Sequence, residues 1–166
     1  DSVEKSVTII RPTVIFGERN RGNVFNLFKQ ISSGKFLMIG NGENKKSMAY
    51  VGNIVAFIKV LIDSEKQGYN IYNYADKPDY DMNELVSIIT KKMKINVPNF
   101  KVPYSIGFLV GLFFDLINFV FRKKSAVSSV RVKKFCATTQ FDSKKTFKTF
   151  CPPYSLKDGI EKTLEH

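Results

Sequence analysis

Short apolar runs alternate with longer segments of helical period along this chain of 166 residues. Val7–Ile10 (VTII) is β-branched and closed by Arg11-Pro12, the pattern of a short buried strand. Asn23–Ser33 sets Val24, Leu27, Phe28 and Ile31 at helical spacing, and Gly34 follows as a stop. Phe36–Ile39 (FLMI) reads as a second strand running into the turn signal Gly40-Asn41-Gly42. The helical period returns from Tyr50 to Ser64 through Val51, Ile54, Val55, Ile58, Leu61 and Ile62. Tyr69–Ala75 alternates as a strand. Asp81 then stands as the N-cap of a helix, with Glu84 at the capping-box position. Ser155, after Pro152-Pro153, caps a closing helix over Leu156–Leu164. Strands and helices alternating at these lengths predict an α/β fold with a few short strands and about five or six helices.

The most apolar stretch is Ile106–Phe121 (IGFLVGLFFDLINFVF), 16 residues with Asp115 inside and Arg122-Lys123-Lys124 after it. A membrane-spanning helix needs roughly 20 apolar residues. The stretch therefore reads as a buried or interfacial helix, with peripheral membrane contact as the second reading.

Charge narrows the class of partner. The chain carries 26 Lys and Arg against 15 Asp and Glu, a net charge of +11. That surplus favours an anionic partner, whether nucleotide, nucleic acid or acidic lipid, although lysines spread this widely also fit a solvated surface. No nucleic-acid motif is present, and the aromatics fall mostly at core-like spacing, so no nucleic-acid partner is expected. Two cysteines, Cys136 and Cys151, lack metal-ligand spacing and fit a reduced, cytoplasmic setting better than a disulfide framework. The single histidine is His166, and Leu164-Glu165-His166 reads as the remnant of an expression tag. Histidine triads and His-ligated zinc are thereby excluded.

Five segments, in order, carry a resemblance. They are IIRPTVIFG (Ile9–Gly17), GNVFNLFKQISSGK (Gly22–Lys35), IGNGENKKSMAYVGNIV (Ile39–Val55), GYNIYNYADKP with DMNELVSII (Gly68–Ile89), and FDSKKTF with PPYSLKDGIEKTL (Phe141–Leu164). Together they resemble the extended short-chain dehydrogenase/reductase family, the NAD-dependent sugar-nucleotide epimerases and dehydratases. The third segment is similar to that family's Gly-Asp-Gly-x-x-x-Arg-Asp-Phe-x-Tyr-Val-x-Asp-Val pattern. Neither the family's Gly-rich dinucleotide turn nor its Tyr-x-x-x-Lys pair occurs here. Residues 1–163 accordingly resemble the C-terminal, substrate-binding portion of an extended Rossmann-type epimerase fold. By itself that portion is expected to be inactive and to bind no cofactor.

The resemblance implies NAD or NADP as the cofactor of the complete enzyme and a nucleotide-diphosphate sugar as its substrate. It leaves a homodimer open. It assigns Pro12, Thr13 and Val14 to the nicotinamide side, and Arg21 and Asn23 to the substrate, Asn23 toward its diphosphate or ribose. Met38 and Ile39 fall at the nucleobase slot, Lys46 where the family has a phosphate-gripping Arg, and Arg131 as a second clamp. Read without the resemblance, Lys46 and Arg131 fit solvated charges, Asn23 a helix cap, Met38 and Ile39 plain core, and Arg11 a strand-end brace. The chain departs from the pattern at Val14 (for Asn), Lys46 (for Arg), and Ser47 and Asn53 (each for an acid). A steroid-type member of the same family, with 106–121 lining a lipid-like pocket, and a basic module binding a polyanion or membrane surface are the alternative functions.

Overall fold

The computed structural model describes residues 6–64, 66–121 and 128–166. The elements run β1 (Val7–Pro12), β2 (Val14–Phe16), α1 (Asn23–Ser32), β3 (Met38–Ile39), β4 (Lys45–Lys46), β5 (Met48–Tyr50), α2 (Val51–Asp63), β6 (Tyr69–Tyr74), β7 (Tyr80–Asp81), α3 (Met82–Met93), β8 (Lys101–Val102), α4 (Tyr104–Phe121), α5 (Ser129–Cys136), α6 (Lys144–Phe147) and α7 (Leu156–Leu164). The α/β expectation holds. The helix number needs correction, because seven occur among the described residues. The short α6, four residues long, is too brief to show a period in sequence. The chain divides into two compact units, one of residues 1–29, 46–80 and 140–166, the other of residues 30–45 and 81–139.

In the first unit β1 pairs parallel with β6, Val7 opposite Tyr69 through Pro12 opposite Tyr74. β2 pairs parallel with β5, Val14 opposite Met48 through Phe16 opposite Tyr50. Parallel strands need a crossover rather than a tight turn. In chain order α1 lies between the paired β2 and β5, and α2 between β5 and β6, the partner of β1. Its Phe57 is fully buried, with ring centroids 5.5 Å from Tyr72, 5.4 Å from Tyr74 and 5.2 Å from Phe150. Tyr72 and Tyr74 are two apart on β6 and so share a face.

Carboxylates just after β6 lock the strand ends of this unit. Asp76 is buried and accepts hydrogen bonds from the Tyr50 amide (2.7 Å), the Asn53 side-chain amide (3.0 Å) and the Tyr74 hydroxyl (2.9 Å). Burial, the largest influence, pushes its carboxyl above the usual value against those three donors. Asp79 accepts from Ser47 (2.7 Å), Gln140 (3.0 Å) and Lys77 (2.6 Å). Burial pushes the Asp79 carboxyl up as well, but its donors and the Lys77 charge outweigh that and hold it below the ordinary value. Ser47 and Asn53, the two departures from acid, thus each face an aspartate that a second carboxylate would repel.

In the second unit β3 pairs parallel with β8, Met38 opposite Lys101 and Ile39 opposite Val102. α3 starts as expected, the Asp81 carboxylate accepting from the Glu84 amide and the Glu84 carboxylate from the Asp81 amide. Ile31, Phe36, Met38, Met82, Leu85, Ile89 and Val132 are buried. Of the two readings of 106–121, a buried or an interfacial helix, the buried one does not hold. α4 is a helix of 18 residues, but only Gly107 and Gly111 of it are buried. A Cβ on Gly107 would lie 2.6 Å from Ile39, and one on Gly111 2.7 Å from the backbone of Ser129. The small residues set which side of α4 approaches the protein, so its large residues face outward.

Candidate binding site

The second unit contains a cavity of about 240 Å³ bordered by Gln30, Phe36, Leu37, Ile39, Ser128, Arg131, Val132 and Phe135. Four of these lie at or within α5 at positions 128, 131, 132 and 135, the spacing that puts side chains on one helix face. α5 is fixed at its first turn. The Ser128 hydroxyl accepts from the Arg131 amide at 3.2 Å. The Asp115 carboxylate of α4 accepts from the Ser129 amide (3.0 Å) and hydroxyl (2.5 Å). A carboxylate at that end also complements the helix dipole. At the other end the Cys136 thiol donates to the Ile39 carbonyl at 3.3 Å, tying α5 to β3. Phe36 and Phe135 face each other with centroids 6.1 Å apart. The result is an aliphatic and aromatic wall with one guanidinium and two neutral polar groups at its border. Such a lining suits a ligand with an apolar or flat part joined to an anion.

Ile39 and Arg131 are therefore brought to one cavity. Met38 is buried in the core instead, because strand alternation turns Leu37 and Ile39 to the cavity and the residue between them away. In the first unit Pro12, Thr13 and Val14 form the link from β1 to β2, Pro12 and Val14 exposed and Thr13 half-buried. The Thr13 hydroxyl oxygen is buried without a hydrogen-bond partner. Arg21 and Asn23 are exposed on the loop before α1 and at its first residue, and Lys46 is half-buried at the end of β4. The loop before α1 is held by Asn20, whose amide donates to the Ile15 carbonyl at 3.1 Å and whose oxygen accepts from the Gly22 amide at 3.0 Å.

The motif reading missed Gln30, Phe36, Leu37, Ser128, Val132 and Phe135. The 128/131/132/135 spacing is present in the sequence, within a segment whose most prominent feature is its run of basic residues. No group of three or more His, Cys, Asp or Glu able to hold a metal occurs among the described residues.

The 3-beta hydroxysteroid dehydrogenase/isomerase family model matches residues 5–104. The chain is 56% identical over 164 residues, 98% of its own length, to N-acetyl-alpha-D-glucosaminyl-diphospho-ditrans,octacis-undecaprenol 4-epimerase of Escherichia coli O157:H7, and covers 50% of that protein. It is 26% identical to UDP-glucose 4-epimerase of Vibrio cholerae, covering 96% of this chain and 46% of that one. Among solved structures, UDP-glucuronic acid 4-epimerase from Bacillus cereus in complex with UDP-glucuronic acid and NAD superimposes with a TM-score of 0.62 at 16% identity, over 95% of this chain and 44% of that one. The chain spans about half the length of the curated relatives it matches. A family match over more than half of its residues, joined to the ordered motifs and the shared fold, makes this chain a member of the 3-beta hydroxysteroid dehydrogenase/isomerase family, within the extended short-chain dehydrogenase/reductases that include the NAD-dependent sugar epimerases.

Proposed function

We propose that this chain forms the substrate-binding part of an NAD-dependent 4-epimerase whose substrate is an N-acetylhexosamine joined through a diphosphate to a polyprenol. The observation that carries the reading is the cavity of the second unit, where the Arg131 guanidinium borders a wall of Phe36, Leu37, Ile39, Val132 and Phe135. A diphosphate needs forked cationic donors, which a guanidinium supplies. The apolar wall suits the group that carries the diphosphate, either a nucleobase face or the first isoprene units of a lipid. The Escherichia coli relative, at 56% identity, acts on the lipid-linked form by its name, and that similarity favours it over the nucleotide-linked form of the Vibrio cholerae relative at 26%.

When bound, NAD would supply the hydride-transfer chemistry at the sugar carbon. The residues present fit its nicotinamide side. A buried hydroxyl without a partner costs about 1–3 kcal/mol, and a polar edge bound beside Thr13 would remove that cost. Pro12 and Val14 would offer apolar contact there. Arg21, Asn23 and Lys46 are proposed for contacts to the substrate's diphosphate by their places in the family pattern. A reduced, cytoplasmic setting fits Cys136 and Cys151, neither of which is in a disulfide.

Steady-state kinetics on the full-length protein test the reading. Arg131→Ala is expected to raise KM for the lipid-linked substrate roughly 5- to 100-fold with little change in kcat, since the contact is the same in ground and transition states. Arg131→Lys should fall between, keeping the charge without the fork. An unchanged KM in Arg131→Ala returns Arg131 to the solvated surface. Preference for a UDP-linked over a polyprenyl-linked N-acetylhexosamine would replace the lipid by a nucleotide.

A further inference from the structure

We infer that α4 is a membrane-seating helix, lying in the surface of an anionic phospholipid bilayer and holding the cavity of the second unit beside it. The inference rests on the lipid-linked substrate proposed above, but its evidence is separate. α4 is built the opposite way round from a helix of a soluble core. Along its inward stripe stand Gly107, Gly111 and Asp115, four residues apart, and the first two are its only buried residues. Asp115 is used up in fixing the start of α5. Outward point Ile106, Leu109, Val110, Leu112, Phe113, Leu116, Phe119, Val120 and Phe121, with Phe113 and Leu116 each 61% exposed and Phe119 83%. An exposed apolar face rimmed by polar residues marks a site of contact with a membrane or another protein.

Charge complementarity selects the occupant. From Arg122 to Lys134 six of thirteen residues are Lys or Arg and none is acidic. On α5, which packs on α4, Arg131, Lys133 and Lys134 are exposed. An apolar helix face bordered by basic residues is the arrangement that inserts between acyl chains while cations meet lipid phosphates. α4 is long and apolar enough to cross a membrane by length and composition. Crossing, however, would draw α5 and its cations toward the hydrocarbon along with it, at high cost. The surface orientation avoids that.

The placement also explains access. Gly107 abuts Ile39, and Gly111 abuts Ser129 and Ser128, so the inward stripe of α4 rests on two residues that border the cavity, Ile39 and Ser128. A polyprenyl diphosphate whose chain stays in the bilayer would then meet Arg131 without leaving the membrane.

The test is flotation of the full-length protein with vesicles of phosphatidylglycerol and phosphatidylcholine, and with phosphatidylcholine alone. It is run beside solution binding of a short-chain, water-soluble prenyl diphosphate N-acetylglucosamine. Wild type should float with the mixed vesicles and more weakly with phosphatidylcholine alone. The Phe113→Glu/Leu116→Glu variant should lose vesicle binding by roughly 100-fold or more while binding the short-chain ligand as wild type does, which also shows that it folds. Undiminished flotation of the variant, or no flotation of wild type, overturns the inference. So does a wild-type dimer that fails to float and that these substitutions split, which would give the face to a second copy. Flotation with no binding of the short-chain ligand sinks the proposed substrate and leaves the seating helix standing.

Discussion

Two helices of similar hydrophobic character, α2 and α4, are used in opposite ways. α2 buries its bulkiest side chain, Phe57, among Tyr72, Tyr74 and Phe150. α4 buries its smallest residues and leaves Phe113, Leu116 and Phe119 outside. The direction of a helix is set by which residues its neighbours can accept. Around α2 a shaped aromatic socket rewards the ring. Against α4 the Ile39 side chain and the Ser129 backbone come so close that nothing larger than hydrogen fits at Gly107 and Gly111. Apolar content tells that a helix avoids water. It does not tell whether protein or lipid provides the shelter.

The sharpest way to break this contrast is a matched pair of truncations. Phe57→Ala should cost about 3–5 kcal/mol, a cavity in a packed core, whereas Phe113→Ala should cost less than about 0.5 kcal/mol, as an exposed site does. Urea unfolding of both variants measures it, and a large loss in Phe113→Ala would mean that α4 is covered by protein. Gly111→Ala comes next. In an open helix this change gains up to about 1 kcal/mol. Here the added Cβ, 2.7 Å from the Ser129 backbone, should make it destabilising by about 1–3 kcal/mol. It should also weaken ligand binding at the cavity, because Ser128 would be displaced with Ser129. A neutral or stabilising outcome would show that α4 and α5 are not in tight contact.

The smallest expected effect concerns acid. Asp79 is held below its ordinary value of 3.8, so it contributes stability above that pH that is lost as pH falls through its folded-state value. Asp76, raised above 3.8, acts with the opposite sign, its contribution being present below that pH and lost as pH rises through its folded-state value. Asp79→Asn should therefore flatten the acid limb of a plot of urea midpoint against pH, and Asp76→Asn should steepen it. Equal slopes in wild type and both variants would remove these carboxylates from the pH dependence of the first unit.

The longer strands and helices were legible in the sequence because they are written in local periods and caps. The two- and three-residue strands β2, β4, β5, β7 and β8 and the short α5 and α6 were not. The Asp81–Glu84 box and the Ser155 cap of α7 formed as the sequence indicated. The ordered motifs also identified the family, since each is a local stretch in a fixed order. What sequence alone did not decide is what lies against what. Met38 and Leu37 are adjacent and both apolar, and only the pairing of β3 with β8 turns one to the core and the other to the cavity. Ser47 and Asn53 looked like losses of charge until Asp79 and Asp76 were found against them. The 106–121 stretch showed its hydrophobicity at once. Its outward orientation follows from two glycines meeting Ile39 and Ser129, residues 68 and 18 positions away in the chain, and contacts at such separation leave no mark in a local pattern of side chains.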